Sequence, residues 1–255
     1  MIDTSGLEDL GEYVVIILDA SAPDRLGKLW PQLSRLEILI IDHHSSSENF
    51  GRLQFIHPGS PSTSYLVQLL IEQLGYQPDA EEAELLLLGL CTDTGFFRHL
   101  AAGTADVFQA VSRLSAAGAA MKTVYRQMFG GINLAERKLL GQVLCRTEEH
   151  FQGRLLLTSL GLADKQALAP MHMKTEEVYR LLQMVAGCDL LIFIKQDTTD
   201  RFSVSFRSSG NITVDNLAAA LGGGGHKQAA GCELQGTYQQ VRQQVLDTVH
   251  QHLKG

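Results

Sequence analysis

The sequence predicts an α/β protein: a parallel-sheet domain joined by a helical connector to a smaller α+β domain. Three observations carry this. Two short β-branched apolar runs, Tyr13 to Asp19 and Glu37 to Asp42, each end in an acid and are separated by room for one helix, which is the pattern of a βαβ unit. Beyond residue 148, strand-like runs gather around a turn instead of alternating with long helices. A chain of 255 residues also sits at the upper edge of what a single core serves, so two domains are expected.

The elements follow in order. Between the first two strands, Asp24 to Leu33 has helical character, and Leu53 to Ile56 reads as a further strand. Ser62 to Leu74, Asp79 to Leu90 and Thr104 to Ala117 read as helices, each opened by a residue able to cap it, and Gly118 closes the last. Residues 121–147 form the expected connector, where Asn133 followed by Glu136 is a capping arrangement ahead of Leu139, Leu140 and Val143. This places the first domain at 1–120 and the second at 148–255. In the second, Arg154 to Leu160, Asp189 to Gln196 and Phe202 to Arg207 read as strands. Thr175 to Ala186, Thr213 to Leu221 and Tyr238 to Leu253 read as helices.

Composition narrows the function classes. The longest apolar runs, such as Val14 to Leu18 and Leu85 to Leu88, fall far short of the roughly 18 to 20 residues of a membrane span. The first residues carry no basic and apolar leader pattern. Cys91, Cys145, Cys188 and Cys232 are widely spaced with no Cys-x-x-Cys, so reduced thiols in a cytoplasmic protein are expected rather than a disulfide or zinc framework. Residues 1–144 hold 10 basic and 17 acidic side chains, and residues 145–255 hold 11 of each, so the first part carries the whole net charge of -7. No basic stripe suited to long duplex nucleic acid is visible. The asymmetry fits a cation site in the first part and a small phosphate site in the second.

Two motifs carry chemistry. Asp42-His43-His44 follows the apolar run Ile38 to Ile41, at the strand end where open α/β sheets place their active sites. Asp19 ends the neighbouring run in the same way, and Asp93 lies past an apolar helix before Gly95. Carboxylate oxygens mixed with imidazole nitrogens suit Mn²⁺, Fe²⁺ or Zn²⁺, and a pair of such ions activates water and stabilises in-line phosphoryl transfer. Taken alone, Asp19 or Asp93 is more often a turn or helix cap. The second motif is Gly222-Gly223-Gly224-Gly225-His226, followed by Lys227. Consecutive glycines are costly in entropy and are expected where backbone closely approaches something, here a phosphate held by successive N–H groups. Arg207, ending an upstream strand, is a candidate bidentate phosphate contact, and an uncommitted surface arginine is the alternative.

Together, Asp42-His43-His44, the Asp93-Thr-Gly-Phe96 element, Phe206-Arg207-Ser208 and the Gly222 to Gly231 block resemble the DHH phosphoesterase superfamily with its DHH-associated C-terminal domain. Within it the chain is most similar to the oligoribonuclease and phosphoadenosine-phosphate phosphatase group, the nanoRNases. The resemblance implies a manganese-dependent phosphodiesterase or phosphatase, holding two ions when complete. It would act on short single-stranded oligonucleotides or nucleotide phosphates such as 3′-phosphoadenosine 5′-phosphate. It implies Asp19, His43 and Asp93 as metal ligands, Asp42 and His44 in or beside the metal shell, and Arg207, the glycine block and His226 on substrate. A homodimer is left open.

The sequence departs from the family at one place. The family pattern opens with a His and an Asp-x-Asp upstream of the Asp19 position; here Asp3 and Asp9 lack that context and no His precedes Tyr13. A fragment or mis-started frame of a longer enzyme is therefore expected, or a nucleotide-binding derivative that is catalytically silent.

Overall fold

The computed structural model describes residues 13–45, 48, 50–168, 174–209 and 212–253. The start of the first expected domain, with Asp3 and Asp9, lies outside the described residues. The chain divides into two compact units, Met1–Gly131 and Ile132–Gly255.

The first unit holds a three-stranded parallel sheet in the order β1 (Val14–Leu18), β2 (Glu37–Asp42), β3 (Leu53–Ile56). Registers run Ile17 to Ile40 and Ile41 to Phe55. The connection after β1 is not one helix. A 3-10 turn over Pro23–Leu29 is followed by a four-residue helix α1 (Trp30–Leu33), and Gly27 between Pro23 and Pro31 takes a non-helical φ of 52°. Each proline opens its own short turn, and the glycine breaks them apart.

Helices α2 (Thr63–Gln73), α3 (Ala80–Asp93), α4 (Ala105–Ala116) and α5 (Met121–Phe129) complete the first unit. Ser62 caps α2 by accepting from Tyr65 N at 3.0 Å. Asp79 and Glu82 form a reciprocal capping box at α3. Thr104 does not cap α4; its hydroxyl donates back to Ala101 O at 3.1 Å. Leu87, Cys91, Leu114 and Val124 form the helical core, while Ile17, Ile38 and Ile40 anchor the sheet.

The second unit opens with α6 (Leu134–Cys145), capped by Asn133 as its spacing predicts: the Asn133 side chain accepts from Glu136 N at 2.8 Å. The predicted connector is thus two helices, with α5 in one unit and α6 in the other. There follow β4 (Glu148–His150), β5 (Leu155–Leu160), α7 (Leu162–Leu168), α8 (Thr175–Leu182), β6 (Leu190–Gln196) and β7 (Arg201–Ser208). The unit ends with α9 (Asp215–Ala220), β8 (Gly224–His226), β9 (Ala229–Gln235) and α10 (Tyr238–Leu253). The strands form one six-stranded sheet, β4-β5-β6-β7-β9-β8, in which only β5 and β6 run parallel.

The two faces of this sheet are treated differently. One is sealed by α9 and α10, which pack Leu217, Val241, Val245 and Val249 on Phe202, Val204, Phe206, Ile192 and Ile194. On the other face α6 and α8 cover β5 and β6, with Leu139, Val143, Val178 and Tyr179 over Leu156, Leu191 and Phe193. Over β7, β9 and β8 that second face carries Ser205, Arg207, Ala229, Gly231, Gly224 and His226, none of them buried.

Candidate functional site

The first unit gathers Asp19, Asp42, His43, His44 and Asp93. β1 and β2 lie side by side in parallel, so their carboxyl ends bring Asp19 and Asp42-His43-His44 to one edge. Asp19 turns there with φ 62°, its N–H donating to Ile41 O at 3.0 Å. A non-glycine residue in this region is uncommon, although aspartate tolerates it better than most. Asp93 arrives as the last residue of α3. A carboxylate at a helix C-terminus opposes the helix dipole, so its place there is a cost to stability.

His43 is oriented for coordination. Its Nδ1 lies 3.2 Å from Ser60 O, which assigns the proton to Nδ1 and leaves the Nε2 lone pair free. That Nε2 lies 3.6 Å from Asp19 Oδ1 and 3.9 Å from Asp93 Oδ2. These separations are too long for hydrogen bonds, yet near the spacing of neighbouring ligand atoms around one ion, about 3 to 3.5 Å for bonds of about 2.1 Å. His44 Nδ1 lies 2.7 Å from Asp42 Oδ1, which fixes its tautomer in the same manner. Ligand atoms of Asp19, His43 and His44 all lie within 4.8 Å of one another. With Asp93 beside them, this mixed nitrogen and oxygen donor set fits a borderline divalent cation.

Asp42 has a different part. It is fully buried, and its Oδ1 accepts the N–H of His43 at 2.7 Å and of His44 at 3.1 Å in addition to the imidazole. Burial pushes its carboxyl upward, but hydrogen bonds from Ser21, the His44 ring and the two N–H groups together outweigh this and bring it down to about 2. Asp42 is therefore an ionised strut that aims the His44 ring and fixes the backbone of both histidines, while Ser60 O orients the His43 ring. Asp93 shifts the other way: burial raises its carboxyl above the ordinary range, with Asp19 adding to the rise and the two histidines opposing it. Carboxylates crowded to this degree favour a cation among them.

Sequence reasoning missed Ser21, Ser60 and Thr63, which hold the motif residues. Thr63, first residue of α2, donates from Oγ1 to Asp19 Oδ1 at 2.8 Å. The available signal was Gly59-Ser-Pro-Ser-Thr63, a small, hydroxyl-rich turn beside the Asp-His-His strand.

In the second unit, registers place Arg207 opposite Ala229, and Ala229 opposite His226. Directly opposed residues share a face, so a guanidinium and an imidazole flank the small Ala229 on the open half of the sheet. The glycines divide by cause. Gly222 has φ 80°, and it and Gly223 donate their N–H groups to Ala219 O and Ala218 O, closing α9. A Cβ on Gly223 would meet Gly231 O at 2.1 Å, and one on Gly225 would meet Ala230 Cα at 2.5 Å. Gly224 alone in the block combines an ordinary φ with open space around its missing side chain. Its register partner is Gly231, itself opposite Ser205, so that space lies on the Arg207 face. Within the glycine block, open space beside an ordinary backbone conformation is thus found at Gly224 in the edge strand β8.

Known proteins resemble the chain in sequence and in fold. Residues 173–255 match the profile of the DHHA1 domain. The chain is 33% identical over 218 residues to the bifunctional oligoribonuclease and PAP phosphatase NrnA of Thermus thermophilus, covering 85% of this chain and 64% of that one. It is 27% identical over 259 residues to the cyclic-di-AMP phosphodiesterase PdeA of Listeria monocytogenes, covering 98% of this chain and 38% of the relative. The crystal structure of an exopolyphosphatase-related protein from Bacteroides fragilis superposes with a TM-score of 0.79 at 27% identity, covering 94% of this chain and 71% of that one. The chain thus spans less than two thirds of either curated relative. Residues 173–255 thus match a DHHA1 domain at the C-terminal side, and in its Asp-His-His strand end and in these relatives the chain is similar to DHH phosphoesterases.

Proposed function

We propose that the chain is a manganese-dependent phosphoesterase that hydrolyses short nucleotidic phosphoesters: dinucleotides and other very short oligonucleotides, or 3′-phosphoadenosine 5′-phosphate. One observation carries the reading: His43 is pinned through Nδ1 on Ser60 O while its Nε2 faces the carboxylates of Asp19 and Asp93. Asp19, His43, His44 and Asp93 would hold the ion. A divalent cation in such a set polarises a phosphoryl oxygen and acidifies water beside it.

The protein's own groups do the rest. Asp42 holds the His44 ring and Ser60 O holds the His43 ring, so both imidazoles are turned toward the site before substrate arrives. Thr63 steadies the Asp19 carboxylate. Arg207 and His226 grip substrate phosphate, and Gly224 leaves room for its approach. Short substrates agree with the names of the Thermus and Listeria relatives. Among the described residues four side chains converge on the cation site, a number suited to one ion more than two. That favours, as a second reading, a nucleotide-binding protein with little turnover.

The test is incubation of 5′-phosphorylated diadenylate with the chain and Mn²⁺, followed by chromatography. Release of AMP that stops with chelator supports the reading. Binding of the dinucleotide without AMP release supports the second reading, and neither binding nor release excludes both.

A further inference from the structure

We propose that Tyr179 is a positioning residue for Arg207, holding its guanidinium over the aromatic ring so that it stands ready for a substrate phosphate. The inference rests on the proposed function and names a residue outside both motifs.

Tyr179 sits in α8, at the border between the covered and open halves of the second sheet face. Its ring is buried and fixed edge-on against Phe193, at a centroid distance of 5.8 Å. The guanidinium carbon of Arg207 lies 4.4 Å from the Tyr179 ring centroid, within cation–π range. The other interaction of that guanidinium among the described residues is Nη1 donating to Phe206 O at 3.1 Å. No described aspartate or glutamate pairs with it, in contrast to Arg113, Arg146, Arg154 and Arg242, which all have carboxylates. A half-buried cation held by a π face and one carbonyl keeps most of its donors for an incoming anion.

Register supplies the shape of that site. Across β7, β9 and β8 the row Arg207, Ala229, His226 spans two strand spacings, about 10 Å between the outer backbones, with a methyl between two cationic or donor groups. An unsupported arginine would sample many rotamers over this gap. The Tyr179 ring, immobile in its apolar cluster, removes that freedom before substrate arrives, and such preorganisation appears as affinity. Leucine would fill the apolar site nearly as well, so the aromatic face is the feature that packing alone does not require.

The experiment uses the full chain with Mn²⁺ and 5′-phosphorylated diadenylate, comparing Tyr179→Leu, Tyr179→Met, Tyr179→Phe, Arg207→Ala and the Tyr179→Leu/Arg207→Ala double variant. Loss of the ring face is expected to raise KM about 5- to 30-fold, with kcat changed far less. Tyr179→Phe, which keeps the face, restores KM. In the Arg207→Ala background Tyr179→Leu adds nothing further. Tyr179→Met keeps the test available if the leucine variant does not fold. An unchanged KM in both aliphatic variants, or an equal increase with and without Arg207, overturns the proposal while leaving the phosphoesterase reading intact. A wild-type chain that neither binds nor cleaves the dinucleotide overturns that reading first, and this one with it.

Discussion

Two neighbouring glycines in one motif should respond in opposite ways to the same added atoms. At Gly223 a Cβ would lie 2.1 Å from Gly231 O and 2.5 Å from Cys232 Cβ, so β8 and β9 must part to admit it. Overpacking of this kind costs about 1 to 3 kcal/mol, which for a unit of this size lowers the melting temperature by about 3 to 15 °C. At Gly224 nothing lies within 4 Å and φ is outside the left-handed region. Gly224→Ala should therefore leave stability unchanged or raise it by about 0.4 to 1 kcal/mol, through a less disordered unfolded chain. Gly224→Val puts its branches into the space beside the Arg207 and His226 row, and is expected to weaken dinucleotide binding tenfold or more, about 1.4 kcal/mol. Thermal melts read the first effect, and equilibrium binding of 5′-phosphorylated diadenylate reads the second. A Gly223→Ala chain as stable as wild type would refute the packing argument. A Gly224→Val chain that binds normally would refute the placement of substrate on this face.

Other substitutions separate scaffold from chemistry. Asp93→Asn removes a charge that opposes the α3 dipole and crowds Asp19, so without metal the melting temperature should hold or rise while manganese-dependent turnover disappears. Asp42→Ala strands the donors of His43 and His44 in a buried site, at about 1 to 3 kcal/mol for each unsatisfied group, so it should cost fold as well as activity in a denaturant titration. Arg242 hydrogen bonds hold the Glu148 carboxyl below its usual range against a smaller opposing effect of burial. A depressed folded-state value stabilises above the unfolded carboxylate pKa and is lost as pH falls through the folded one. Arg242→Ala should thus lower the melting temperature at pH 7 by an amount worth about 0.2 to 1 kcal/mol, and the gap should close in acid below about pH 4.

Much of the first unit was legible because its signals are local. β-Branched runs ending in Asp19 and Asp42 mark parallel strands, and Ser62 and Asp79 mark helix starts that the structure confirms as caps, as Asn133 does at the start of the second unit. The helix expected over Asp24 to Leu33 failed at Gly27 and Pro31, where backbone chemistry overrode an apolar pattern. In the second unit β4, β8 and β9 were illegible. Glu-Glu-His, Gly-Gly-His and Ala-Ala-Gly-Cys-Glu-Leu-Gln have poor strand propensity, and pairing with β5 and β7 decides their conformation. The same holds for the sites. Asp-His-His and the glycine run stand out in one dimension. Ser60, Thr63 and Tyr179 are ordinary residues until the fold brings them to His43, Asp19 and Arg207.

Asp19, His43, His44 and Asp93 form the proposed cation site. Calorimetric titration of Mn²⁺ into the wild-type chain and into His43→Ala addresses it most directly. Saturable binding to the wild type is expected, accompanied by a rise in melting temperature worth about 2.7 kcal/mol at a hundredfold excess over Kd, with loss of both in the variant. Absence of saturable binding by the wild type, or equal binding by His43→Ala, would contradict it.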